Sequence, residues 1–341
     1  MDFTLSQTSP PRQGCVRPDH VLAPDAVCDH KQMPSNTLPT HRALGFGACT
    51  LASTLWGCGF FFGKIVLAEM GVGSMVFYRF AFACLALLPV LFTHKPDFSP
   101  REWTILAFSA FLGVPVQFLL QFEGLRLTTV SHAALMVGLM PVILAVGAAV
   151  WAHERMDKIG WFALFGSSLG ACLIALGGRH SAIPGGPSLA GDLLVVASLF
   201  IALFWILMNK QLMEGHNHLL VTAYGIFLGT AMLAIVVPFR YGLPAIHGIS
   251  WKPWAASAAA GVLCTAVTTS LWNWGITQVP ASQAGVLLNM EPLMGSLLGV
   301  FVLSEHLGPS AWLGGGLILA SAITLTTQSK TRVRELEPAI L

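Results

Sequence analysis

Residues 131–154 read SHAALMVGLMPVILAVGAAVWAHE, and residues 282–305 read SQAGVLLNMEPLMGSLLGVFVLSE. At a constant offset of 151, Ser131 meets Ser282, Pro141 meets Pro292 and Glu154 meets Glu305. The match runs outward through 124–175 and 275–326, where Gly124 meets Gly275 and Trp161 meets Trp312. Nearer the start of each copy, Trp56 meets Trp205 and Pro89 meets Pro238 at an offset of 149. Self-similarity at a fixed spacing marks a structural unit used more than once. The chain is two copies of one unit.

Hydropathy says what the unit is. Of 341 residues, 55% are hydrophobic and only 10% charged, against roughly 25% charged in a soluble domain. Too little charge is present to cover a water-facing surface, so soluble enzymes, nucleic-acid binders and disordered scaffolds do not fit. A net charge of +2 asks for no polyanionic partner. Ten apolar stretches follow one another: 43–65, 72–92, 103–122, 129–151, 159–177, 190–209, 219–239, 254–274, 281–303 and 310–327. Each can cross a hydrocarbon core of about 30 Å as a helix. Spanning strands would be about half as long and would alternate strictly. The expected class is an all-α integral membrane protein of ten helices, five per copy.

Residues 1–42 are polar, proline-rich and without an apolar run, which predicts a disordered cytoplasmic tail. Two five-helix repeats follow at 43–178 and 189–327, with a second cytoplasmic tail at 328–341. With the N-terminus inside, twelve Lys and Arg lie in inner segments and five in outer ones, Arg79 being left within a span. The positive-inside rule therefore puts both termini in the cytoplasm of a multi-pass protein of the inner (plasma) membrane. Five is odd, so the second copy enters upside down. Inverted repeats are the architecture of secondary transporters, whose halves rock around a site near the midplane.

The runs that carry the repeat also resemble a known family. WGCGFFFGK at 56–64, FYRF at 77–80 and the stretch from Gly124 to Met156 resemble the first half of an EamA-type transporter, of the drug/metabolite transporter superfamily. GDLLVVASLFIALFWILMNKQL and MEPLMGSLLGVFVLSEHL resemble its second half. The resemblance covers about residues 43–327. It implies ten helices, cytoplasmic termini, a central cavity, and transport of small organic metabolites, often export of amino acids or related compounds. Two features depart from it. The N-terminal tail is long, and the second half lacks the WG…K pattern, with Ile206 after Trp205 and Met213 where Lys64 would fall.

The repeat also sorts the polar residues. Packing is needed in both copies, while a binding site need not be. Glu291 falls opposite Met140, Arg79 opposite Leu228, Asn289 opposite Gly138 and Gln121 opposite Trp272. Glu291 stands out, because a charge at the centre of a span costs about 2.5–3.5 kcal/mol and is functional by default. It is the candidate to bind an amine or to carry a coupling proton. Its bland alternative is a neutral hydrogen bond between helices. Arg79 is placed to snorkel, to bind a carboxylate or to pair with an acid. Trp56 and Asn273 complete the candidate set, with cavity lining or helix glue as their roles. Lys64 ends its helix and reads as a snorkelling residue. His132 stands opposite Gln283 and Gln117 opposite Thr268, which reads as scaffold hydrogen bonding. Pro141 and Pro292 are matched helix kinks, the pattern that points to a transporter's binding region.

Other motifs fall away. Gly166–Gly170 fits GxSxG, but a nucleophile elbow needs a strand-to-helix turn. The GxxxG spacings at 59, 166, 225 and 295 suit close helix contacts, within the chain first and in a homodimer second. His216 and His218 lack the ligand set of a metal site. The seven cysteines show no framework spacing. No ATP-binding loop, cofactor motif or metal motif is present. The expected function is secondary-active export of a small-molecule metabolite across a lipid bilayer by alternating access, without nucleic acid. A membrane sensor or assembly protein, or a membrane-embedded enzyme, is the competing class.

Overall fold

The computed structural model describes residues 39–93, 96–151, 158–177, 188–213, 215–278 and 287–336. The tail up to residue 38, and Glu154, Ser282 and Gln283, lie outside the described residues. Everything regular among the described residues is helical.

The first helix, α1 (Pro39–Leu67), and α2 (Val72–Thr93) are joined by a tight turn. A single stretch then runs from Pro100 to Leu127 as α3 (Pro100–Phe111), a π turn (Leu112–Val116) and α4 (Gln117–Leu127). Its start is fixed by a reciprocal cap: Ser99 N–H donates to Glu102 Oε2 at 2.7 Å, and Ser99 Oγ accepts from Glu102 N–H at 3.4 Å. Pro100 supplies a fixed φ where no N–H is needed. The π turn contains Pro115, whose missing N–H leaves the helical ladder unpaired and makes a wider turn cheap there.

After a two-residue corner come α5 (Val130–Val137), α6 (Met140–Trp151) and α7 (Lys158–Gly177). The second matched region brings α8 (Leu189–Met213) and α9 (His218–Tyr241). It continues with α10 (Trp251–Gly261), a second π turn (Val262–Val267) and α11 (Thr268–Gln278). It ends with α12 (Met290–Phe301) and α13 (Pro309–Leu336). Six stretches are long and apolar enough to cross a membrane: Ala43–Leu67, Val72–Thr93, Pro100–Leu127, Leu189–Met213, His218–Tyr241 and Trp251–Ile276. Val130–Ile143, Trp161–Ile174 and Met290–Phe301 are apolar but shorter.

Three details differ from the sequence reading. The first helix starts at Pro39, and the last runs to Leu336 through residues expected in the tail. Hydropathy marks where the apolar stretch ends, and polar residues of good helix propensity carry the helix on. The span at 129–151 is broken at Gly138–Leu139, not bent at Pro141. Pro141 and Pro292 each sit in the first turn of the segment after a break, in α6 and α12. Backbone N–H groups are unpaired in a first turn, so proline costs nothing there.

Glycine makes the closest helix contacts. Gly170 of α7 and Gly314 of α13 each lie on the other's carbonyl, as do Gly124 of α4 and Gly191 of α8. Gly57 of α1 rests on the backbone of α12 at Glu291 and Gly295, and Gly299 rests on Ser131 of α5. Lipid offers no hydrophobic drive to hold helices together, so close backbone approach and dispersion must do it. The serine of the GxSxG match, Ser168, is exposed on α7, while its neighbour Ser167 is buried in this packing.

Candidate functional site

Arg79 is where the sequence reading and the structure part most. It does not snorkel: it is 4% exposed on α2. Its Nε donates to Thr265 Oγ1 at 2.9 Å and its Nη2 to the Cys264 carbonyl at 3.1 Å. Both acceptors lie in the second π turn, where Thr265 Oγ1 in turn donates to Ala260 O at 3.0 Å, five residues back. The guanidinium also sits over the rings of Phe118 and Phe122, 4.9 and 5.4 Å from their centroids. Those rings stack on each other at 6.2 Å. Gly59 of α1 faces the guanidinium, and a Cβ there would stand in ordinary contact, 3.5 Å from Nη1 and Nη2. A cation held by two acceptors and two aromatic faces is worth keeping buried.

Glu291 lies in the first turn of α12, directly after the break at Leu288–Asn289. The positive end of a helix dipole favours a carboxylate there. Arg79 and Glu291 act on each other electrostatically, and no direct ion pair joins them among the described residues. Glu291 keeps partial exposure. Trp56 of α1 and Trp272 of α11 meet at 5.4 Å between ring centroids, tilted by 52°. Trp56 immediately precedes Gly57, which rests on the Glu291 backbone. So α1, α2, α11 and α12 bring together Arg79, Glu291 and Trp56.

The other candidates sit apart. Asn273 is buried, and its Nδ2 donates to Thr222 Oγ1 at 2.7 Å, tying α11 to α9. Asn209 accepts from Ser109 Oγ at 2.7 Å, tying α8 to α3. Asn289 is buried at the start of α12, and Gln121 is buried on α4. His216 meets Glu102 Oε1 through Nε2 at 3.0 Å. Among the described residues no three His, Cys, Asp or Glu side chains gather as for a metal.

One polar cluster escaped the sequence reading. At the corner between α4 and α5, Lys64 Nζ donates to the carbonyls of Thr128 at 2.7 Å and Leu125 at 3.2 Å. It caps the end of α4 instead of snorkelling. Glu305, just past α12, accepts from Val130 N–H and Ser131 N–H at 2.8 Å each, and from Ser131 Oγ at 2.7 Å. Cation and anion thus meet the ends of the two helix dipoles with matching sign. Asp192 of α8 accepts from Thr128 Oγ1 at 2.7 Å and faces His132 Nδ1 at 3.1 Å. The missed signal is Asp192 itself, a carboxylate inside an apolar span.

The sequence model of the EamA-like transporter family matches this chain twice, at residues 43–176 and 189–327. The chain belongs to that family. An uncharacterized transporter of Archaeoglobus fulgidus is 26% identical over 282 residues, 81% of this chain and 95% of the relative. The inner membrane transporter YicL of Salmonella typhimurium, also named as uncharacterized, is 26% identical over 295 residues, 83% and 95% of the two chains. A protein of Escherichia coli named as a biotin transporter is 23% identical over 275 residues, 80% and 90%. A crystal structure matches 86% of this chain and 99% of its own, with a TM-score of 0.60 and 15% identity. At that identity the likeness speaks for the fold. This EamA-family chain is a multi-pass membrane transporter, and Arg79, Glu291 and Trp56 are its interior polar and aromatic group.

Proposed function

We propose that this EamA-family transporter is a secondary-active carrier that exports a small organic metabolite, an amino acid or related compound, by alternating access. Ten spans, arranged as two inverted five-helix units, would flank the site. The observation that carries the reading is Glu291: a carboxylate on the first turn of a broken helix, acted on by a buried arginine and still partly exposed. Broken spans with charged groups at the break are how secondary transporters build midplane sites. Each family-matched region has one span with a π turn, at Leu112–Val116 and at Val262–Val267, which supports two related units.

In this reading Glu291 takes the amine of the cargo or a coupling proton. Arg79 sets the charge of the site, with Nε and Nη2 already committed. Trp56 and Trp272 line the path, and Gln121, Asn289 and Asn273 frame it. The relative named as a biotin transporter is consistent with a small organic cargo. The location would be the inner (plasma) membrane with both termini cytoplasmic. A homodimer fits the architecture without being needed by the site.

The test is metabolite profiling of cells overproducing the protein, beside a Glu291→Gln variant of equal abundance. One class of compound should accumulate in the medium with the wild type and not with the variant. Equal release from both would remove Glu291 from the mechanism. Profiles that match empty cells, with matching uptake of the same compounds, would remove export.

A further inference from the structure

We infer that Asp192 and His132 form a proton-binding site of the carrier, separate from Glu291, at the corner between α4 and α5. The inference rests on the carrier reading above.

The geometry is that of a site held for one proton. Asp192 is 1% exposed and His132 3%, yet each lies in the first turn of its helix. A proton therefore crosses only about one turn, ~5 Å, from the helix end. Asp192 Oδ1 accepts from Thr128 Oγ1 at 2.7 Å, and Oδ2 meets His132 Nδ1 at 3.1 Å. A carboxylate only accepts, so Nδ1 carries the ring hydrogen. The second ring nitrogen, Nε2, is then the atom that takes an incoming proton. Nothing among the described residues hydrogen-bonds to it.

Charge counting gives the proton a purpose. The groups at this corner are Lys64 from α1, Asp192 from α8, Glu305 after α12, and His132 from α5. Glu123 and Arg126 at the end of α4 pair with each other at 2.9 Å. Arg240 of α9 lies over Tyr241, and His306 is exposed. Lys64, Asp192 and Glu305 together carry one net negative charge. Protonating His132 brings the corner to zero. An uncompensated charge is costly inside a membrane protein and is relieved by admitting water. The proton-loaded corner is therefore the closed one, and losing the proton favours opening.

The repeat separates this pair from scaffold. Ser131 and Glu305, which clamp the corner, recur as Ser282 and Glu154. The titratable cluster does not recur: His132 stands opposite Gln283, and at the offset of 149 Asp192 stands opposite Ala43 and Lys64 opposite Met213. Glutamine can supply hydrogen bonds at the equivalent place, so hydrogen bonding alone does not call for a histidine.

The test is hydrogen exchange of the purified carrier in lipid nanodiscs, read by mass spectrometry on peptides spanning 125–135, at about pH 5.5 and about pH 8. No cargo is needed, so this experiment can fail while the carrier reading stands, and the reverse. After correction for intrinsic rates, the wild type should exchange about tenfold faster at the higher pH, a tenfold rise in the open population. His132→Gln and Asp192→Asn should each abolish that step, and either one decides if the other does not fold. Glu291→Gln should keep it. A wild type without the step, or a step that survives either folded variant, overturns the proposal. Loss of protection at both pH values with the step intact marks a purely structural pair and overturns it as well.

Discussion

Arg79 sets how far a single residue can be read. Its place inside a span was legible, but its partners were not. Thr265 and Phe118 come from distant parts of the chain, and only the fold brings them over the guanidinium. Because Nε and Nη2 are already committed, their acceptors should govern stability. Thr265→Val removes the Nε acceptor while keeping the volume. It should cost about 1–3 kcal/mol, the scale of a hydrogen bond to a buried charge, seen as a lower thermal midpoint of the detergent-purified protein. Arg79→Lys loses the planar fork and its ring stacking, and should lower the midpoint further. An unchanged midpoint in Thr265→Val would mean that the Cys264 carbonyl and the two rings hold the arginine without the Thr265 hydroxyl. At the turn between α1 and α2, Glu69 accepts from Ser250 Oγ and Ser250 N–H, at 2.7 Å each. Those bonds, the side-chain one first, hold its carboxyl below the usual value. A depressed value means that the stabilisation is complete above the unfolded-state pKa, about 4.3. It is lost as pH falls through the lower folded value. Hydrogen exchange at the start of α10 should therefore rise, beyond the intrinsic trend, only in that acid range, and Ser250→Ala should blunt the change.

At the scale of elements, hydropathy found six stretches long and apolar enough to cross a membrane, because an apolar run of about 20 residues has few other uses. It could not find the breaks. Pro141 and Pro292 were read as kinks, whereas the chain breaks just before them and each proline starts a new segment. The second π turn was invisible too, since its Cys264 carbonyl and Thr265 hydroxyl are used by Arg79 of a neighbouring helix. Nor could sequence tell which glycines carry a contact. Gly57 and Gly47 look alike on α1, yet a Cβ at Gly57 would stand 2.5 Å from Glu291 O, while at Gly47 it meets nothing within 4 Å. Gly57→Ala must push α1 off α12, an overpacking cost of about 1–3 kcal/mol. Gly47→Ala should instead gain about 0.5–1 kcal/mol from helix propensity. Thermal midpoints of the two variants should move in opposite directions. A neutral Gly57→Ala would mean that the two helices are not held at backbone contact.

At the scale of the molecule, the two matched regions give the proposed inversion a consequence that needs no cargo. Asp97 lies just before α3, and His247 just before α10, at corresponding places in the two regions; both are exposed. Each is anchored to a different set of neighbours. Phe98 packs on Trp103, His216 and Tyr224. The segment of His247 is tied to α2, where Ser74 Oγ accepts from Ala245 N–H at 3.0 Å and Tyr78 O–H donates to Ala245 O at 3.1 Å. One span, α9, separates His216 from Ala245, so the two anchors lie at opposite ends of the bundle. In the proposed orientation, with the N-terminus inside, Asp97 would face the cytoplasm and His247 the outside. A membrane-impermeant maleimide should therefore label His247→Cys in intact cells, above the background of the native cysteines. It should label Asp97→Cys only after permeabilisation. The reverse pattern would keep the inversion and turn the molecule over. Labelling of both from one side would mean that α9 does not cross the membrane, and the inversion would fall. Alternating access by exchange of equivalent halves would then lose its physical basis, because only units related by a two-fold axis in the membrane plane present equivalent openings to the two sides.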